Sequence, residues 1–176
     1  DLVDGADVGV VQSAGGLGLA HEAGLGLGVL RQSRVIIAMG KPVEADAQFK
    51  AADNMTDSFA ALAVLADQEG PEREQALVAF AARWQSDELV MDKWFSVQAM
   101  STLPATLARV EMLTRHAAFD IKNPNKVRAL ISSFAHGNLL RFNAADGAGY
   151  RFIADRVLEL DTLNPQVAAR LVACFN

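Results

Sequence analysis

Cysteine is nearly missing from this chain: Cys174 is its only one in 176 residues. A lone thiol excludes an internal disulfide and any cysteine-based zinc cluster, and it fits a reducing compartment. Long apolar runs are missing too. No run of about eighteen apolar residues occurs, so nothing is expected to span a membrane. Clustered positive charge is absent: the formal net charge is −5, and Lys and Arg are scattered along the chain, most often beside acids. Neutralising phosphates needs such clusters, which argues against nucleic-acid binding. The chain starts with Asp1, Asp4 and Asp7, so the positive start of a signal peptide is lacking as well.

Two further scarcities divide the chain. No aromatic residue precedes Phe49, and only four of the thirteen glycines lie beyond residue 40. Residues 1–40 therefore read as Gly-Val-Val, Gly-Gly-Leu-Gly-Leu and Gly-Leu-Gly-Leu-Gly without helical or strand periodicity. Glycine inside either element costs about 0.5–1 kcal/mol relative to alanine, so this density disfavours both. Val35-Ile-Ile37 offers a short strand with no evident partner. Residues 1–43 are read as an irregular glycine-rich segment, foreign to the rest of the chain or out of frame with it. Residues 44–176 are read as a helical domain. With 51% hydrophobic and 21% charged residues, the whole is a globular composition able to bury a core.

From about Glu44 the pattern is helical throughout. Asn54 or Thr56 caps a helix through Ala66, and Gly70-Pro71 stops it and opens the next. Leu77, Phe80, Ala81 and Trp84 then form an apolar stripe at helical spacing. Asp87 caps a helix apolar on two faces, with Val90, Trp94 and Val97 on one and Met91 and Phe95 on the other. Pro104 opens a helix carrying Leu107, Val110 and Leu113. A fifth helix starts after Asn123-Pro124 and buries Val127, Leu130, Ile131 and Phe134. After a break at 137–143, Asp146-Gly-Ala-Gly149 makes a tight turn into a helix with Ile153, Val157 and Leu160. A last helix starts at Asn164-Pro165, runs to the chain end and reads as truncated there. Six or seven helices, short loops and no convincing strand predict an all-α domain of antiparallel helix pairs stacked as a solenoid of HEAT or ARM type.

Chemistry is sparse. His21-Glu22 begins like a His-Glu-x-x-His zinc motif, but Leu25 stands where the second ligand belongs. His116 and His136 are read as loop histidines, Ser132-Ser133 lacks a base, and Cys174 suits packing. The glycine run matches no phosphate-binding loop. Asp92-Lys93 beside Trp94-Phe95 is read as the charged rim of a core helix. The residues with a functional case are Arg128 and Arg170. Each falls within two turns of an Asn-Pro start, in Asn123-Pro-Asn-Lys-Val-Arg128 and Asn164-Pro-Gln-Val-Ala-Ala-Arg170. Two forked guanidinium donors on similarly oriented helices would suit a carboxylate or peptide carbonyls.

These two motifs, with Asn54-Met-Thr-Asp57, the block from Gln85 through Phe95 and Asp146 through Tyr150, resemble the C-terminal helical domain of bacterial aminopeptidase N. The resemblance spans roughly residues 44–173. It implies a noncatalytic domain of a zinc-dependent aminopeptidase that walls the substrate chamber, with Arg128 and Arg170 contacting the distal end of a bound peptide. It implies zinc in the parent enzyme and none in this chain, and a partner in the parent's catalytic domain. With the acidic start and lone cysteine, it also implies a cytoplasmic location. The competing expectation is an independent helical-repeat scaffold that binds a protein or peptide in its groove.

Overall fold

A computed structural model describes residues 42–176. The glycine-rich segment, the strand at 35–37 and His21 with Glu22 lie outside the described residues. Within them every regular element is helical: α1 (Pro42–Ala51), α2 (Met55–Leu65), α3 (Pro71–Trp84), α4 (Glu88–Ala99), α5 (Thr106–Leu113), α6 (Pro124–Val127), α7 (Leu139–Phe142), α8 (Ala148–Leu163) and α9 (Pro165–Val172). Helix α6 runs directly into a π-helix over Arg128–Gly137, and α9 tightens into a 3₁₀ turn over Ala173–Phe175. The final helix thus ends at Val172 before the chain does.

The caps are where polar residues at helix starts put them. Asn54 Oδ1 accepts from the Asp57 amide at 2.9 Å, so Asn54 rather than Thr56 starts α2. Asp87 Oδ1 accepts from Leu89 and Val90, and Asn123 and Asn164 accept from Asn125 and Val167, with proline next in each Asn-Pro pair. Pro104 opens nothing. It sits in the turn before α5, whose first helical residue is Thr106; the Thr106 hydroxyl donates back to Ser101 O at 2.8 Å.

Helix α4 is the axis of the fold. Val90, Met91, Trp94, Phe95 and Val97 are all buried, as its two apolar faces require. Helix α3 packs on one side, where Trp94 Nε1 donates to Leu77 O at 2.9 Å. The π-helix packs along the other, α5 touches both, and α8 bridges from the π-helix to α9. The charged residues of α4 do lie at the rim: Lys93 Nζ stands 6.0 Å from the Phe59 ring centre, and Asp92 pairs with Lys126.

The break expected at 137–143 contains a helical turn, α7. Its cap, Asn138, is buried and donates to Ala99 O and Ser101 O at 2.9 and 2.7 Å, which fastens α7 to the end of α4. The turn into α8 uses its two glycines differently. Gly147 has φ +68°, while Gly149 lets the start of α8 approach Phe142, where an added Cβ would lie 2.4 Å from the Phe142 carbonyl oxygen. The obstacle is backbone and cannot swing aside. Gly149→Ala is therefore expected to destabilise the domain by about 3 kcal/mol, near the upper range for overpacking, read as a shift in urea midpoint. A midpoint shift no larger than that of an exposed substitution would contradict the close approach.

Candidate functional site

The two arginines predicted to contact a ligand are both exposed. Arg128 is the first residue of the π-helix. Its Nη1 donates to Asn125 Oδ1 at 3.2 Å, which orients the guanidinium and leaves other N–H groups open to solvent. The backbone beneath it is held from two directions. The buried Lys126 ammonium reaches Asp92 Oδ1 at 2.7 Å and Glu88 O at 3.2 Å. The Ser96 hydroxyl reaches Ala129 O at 2.8 Å, and Ser133 Oγ lies 3.2 Å from Arg128 O. That carbonyl is also the acceptor an i→i+5 register assigns to the Ser133 amide, so serine chemistry supports the wide turn. Arg170 lies near the end of α9 and makes no hydrogen bond or ion pair with the described residues. The helices carrying the two arginines do not pack chiefly on each other: α9 packs on α8, and α8 on the π-helix.

The histidines sit apart from one another. His116, half-buried in the turn after α5, has its ring centre 5.2 Å from Trp94 and 5.7 Å from Phe95, and its Nδ1 accepts from the Ala118 amide. His136 is exposed in the last turn of the π-helix, not in a loop as the sequence suggested. Among the described residues no three His, Cys, Asp or Glu side chains converge as metal ligands would. Cys174 packs against the core, and partial burial pushes its thiol pKa up, away from the reactive thiolate. No described helix is long and apolar enough to cross a membrane.

No sequence motif points to a cleft found among the described residues. It has a volume of about 840 Å³ and lies between the C-terminal end of α5 with its adjoining turn and the outer face of α8. Arg115, Arg151 and Arg156 line it together with four carboxylates. Local patterning hides it, because its walls come from segments some thirty residues apart that look like ordinary charged helix surface.

Comparison with known proteins places this geometry in a family. The chain is 48% identical over 124 residues to aminopeptidase N of Caulobacter vibrioides, 45% over 121 to that of Haemophilus influenzae and 42% over 125 to that of Escherichia coli K12. Each match takes in about 70% of this chain and 14% of the relative, so the chain spans only a small part of their length. Among solved structures, Legionella pneumophila aminopeptidase A, crystallised with aspartic acid, superposes with a TM-score of 0.73 at 36% identity, over 80% of this chain and 17% of that one. The DUF3458_C family, described as a domain of unknown function with ARM repeats, matches residues 35–176. This chain, homologous to part of aminopeptidase N and folded as stacked helices, belongs to the DUF3458_C family of ARM-repeat domains.

Proposed function

We propose that residues 44–176 serve as the noncatalytic helical domain of a zinc-dependent aminopeptidase that releases amino-terminal residues from peptides. The observation that carries this reading is the 42–48% identity to one small part of three aminopeptidases N. In this role the domain walls the substrate chamber and docks on the catalytic domain of the same enzyme, which supplies the zinc and the general base, in the cytoplasm. Arg128 and Arg170 would meet the far end of the peptide. A guanidinium steadied by Asn125 on a clamped backbone loses little entropy when it donates to a carboxylate, and its remaining N–H groups match that fork.

The test uses a chimera in which residues 44–176 replace the matching part of the Caulobacter vibrioides enzyme. Arg128→Ala in that chimera is expected to raise KM for hexapeptides about tenfold, the worth of one charge-assisted hydrogen bond, with little change for an amino-acid anilide. Equal effects on both substrates would remove Arg128 from peptide binding. Chelator-sensitive peptidase activity in the isolated 176-residue chain would overturn the noncatalytic role altogether.

A further inference from the structure

We propose that the cleft between α5 and α8 is a binding site for a short zwitterionic peptide, one carrying both a free ammonium and a free carboxylate. It is separate from the Arg128 and Arg170 surfaces and does not depend on the role given to them.

Each wall of the cleft offers charge of both signs. On the α5 side the Glu111 carboxylate and the Arg115 guanidinium have no hydrogen-bond or ion-pair partner among the described residues. On the α8 side Asp155 is likewise unpartnered. Arg156 is different. Its Nη1 holds Glu159 Oε2 at 2.9 Å and its guanidinium carbon stands 5.8 Å from the Phe152 ring centre, so the group is fixed in place. Its Nε is nevertheless buried without an acceptor. That N–H has no exposed surface, so a ligand in the cleft would meet the Arg115 guanidinium rather than Arg156 Nε. Phe119 and Phe152 add apolar surface between the charged groups.

The mixture of signs selects the ligand class. A simple anion attracted by Arg115 and Arg156 would face Glu111 and Asp155, and a simple cation would face the arginines. A ligand with an anionic and a cationic end satisfies both. An extended tripeptide places its ends about 10 Å apart, and a cleft of this volume lies within the range of small-molecule sites. An apolar central side chain would rest on the phenylalanine rings.

Isothermal titration calorimetry of the full chain with alanyl-leucyl-alanine tests the assignment. Saturable binding is expected. N-acetylation and C-amidation of the tripeptide should each weaken it about tenfold, since each removes one charge-assisted contact. Arg115→Gln and Asp155→Asn should each weaken it about fivefold with unchanged far-UV circular dichroism, whereas Val78→Ala, exposed and outside the cleft, should leave it within about twofold. No saturable heat, equal binding of a capped peptide, or insensitivity to both cleft substitutions would overturn the proposal. Loss of binding with Arg128→Ala and Arg170→Ala but not with the cleft substitutions would overturn it too and assign the peptide to that surface. Failure of the chimera test leaves these outcomes untouched, so the two readings stand or fall separately.

Discussion

Phe134→Ala is expected to cost about 3–5 kcal/mol of folding stability and to lower the thermal midpoint by roughly 10 °C. Phe134 is fully buried inside the π-helix. Its ring centre stands 6.4 Å from Phe142 and 6.0 Å from Phe152, both edge-on, so one side chain joins the π-helix to α7 and α8. Truncation removes the transfer energy of the ring and two aromatic pairs, and it leaves a cavity whose walls come from three elements. A π-helix cannot easily collapse to fill it, because its wide turns are already held by Ser96 and Ser133. Phe134→Leu keeps most of the volume and is expected to cost about 1–1.5 kcal/mol, while Val78→Ala, at a position 67% exposed, should fall within about 0.5 kcal/mol of wild type. Urea denaturation followed by circular dichroism ranks the three. If Phe134→Ala behaved like Val78→Ala, the packing of α7 and α8 on the π-helix would be wrong.

Most of this architecture is legible in the sequence where a local rule decides it. The stripe Leu77, Phe80, Ala81, Trp84 and the two-faced pattern of α4 mark buried surfaces because burial is the main force on an amphipathic helix. The Asn-Pro pairs mark starts because a capping side chain and a missing N–H both suit the first turn. Tyr150 carries a hydroxyl able to reach a partner, and that hydroxyl donates to Asn143 Oδ1 at 2.6 Å. The features that are not legible depend on residues far apart in the chain. Val127, Leu130, Ile131 and Phe134 fit one α-helix in sequence and are all buried, yet from Arg128 onward the register is π. Ser96, thirty-three residues away, takes the Ala129 carbonyl, and no local propensity encodes that contact. Asn138 reads as part of a break because a buried asparagine resembles any turn asparagine until Ala99 O and Ser101 O are known to face it. The cleft escapes for the same reason. Arg115 and Arg156 each look like a solvated helix charge, and only the packing of α8 against the π-helix brings their walls into register.

The contact between Asp92 and Lys126 carries the second large expected effect, because it joins α4 to α6, which leads into the π-helix. Their side chains are 19% and 7% exposed and 2.7 Å apart, so water replaces a removed partner poorly, most of all at Lys126. Asp92→Ala leaves the ammonium with only the Glu88 carbonyl, and it is expected to destabilise the domain by about 3 kcal/mol. Lys126→Met should cost less, since the Asp92 carboxylate is nearer to solvent and an apolar side chain of similar length fills the space. Adding Lys126→Met to Asp92→Ala should then recover much of the loss, because no buried charge is left unpaired. That sign of coupling, measured as a double-mutant cycle in urea, distinguishes a pair held by burial from a surface pair, whose coupling is about 0.2–1 kcal/mol. Two residues beyond Lys126 stands Arg128. If the clamp fixes that guanidinium, Asp92→Ala in the chimera should also raise KM for hexapeptides without changing turnover of an anilide. A loss of stability with no such change would confine Asp92 to holding the fold, and would leave the orientation of Arg128 to Asn125 and the serines beneath it.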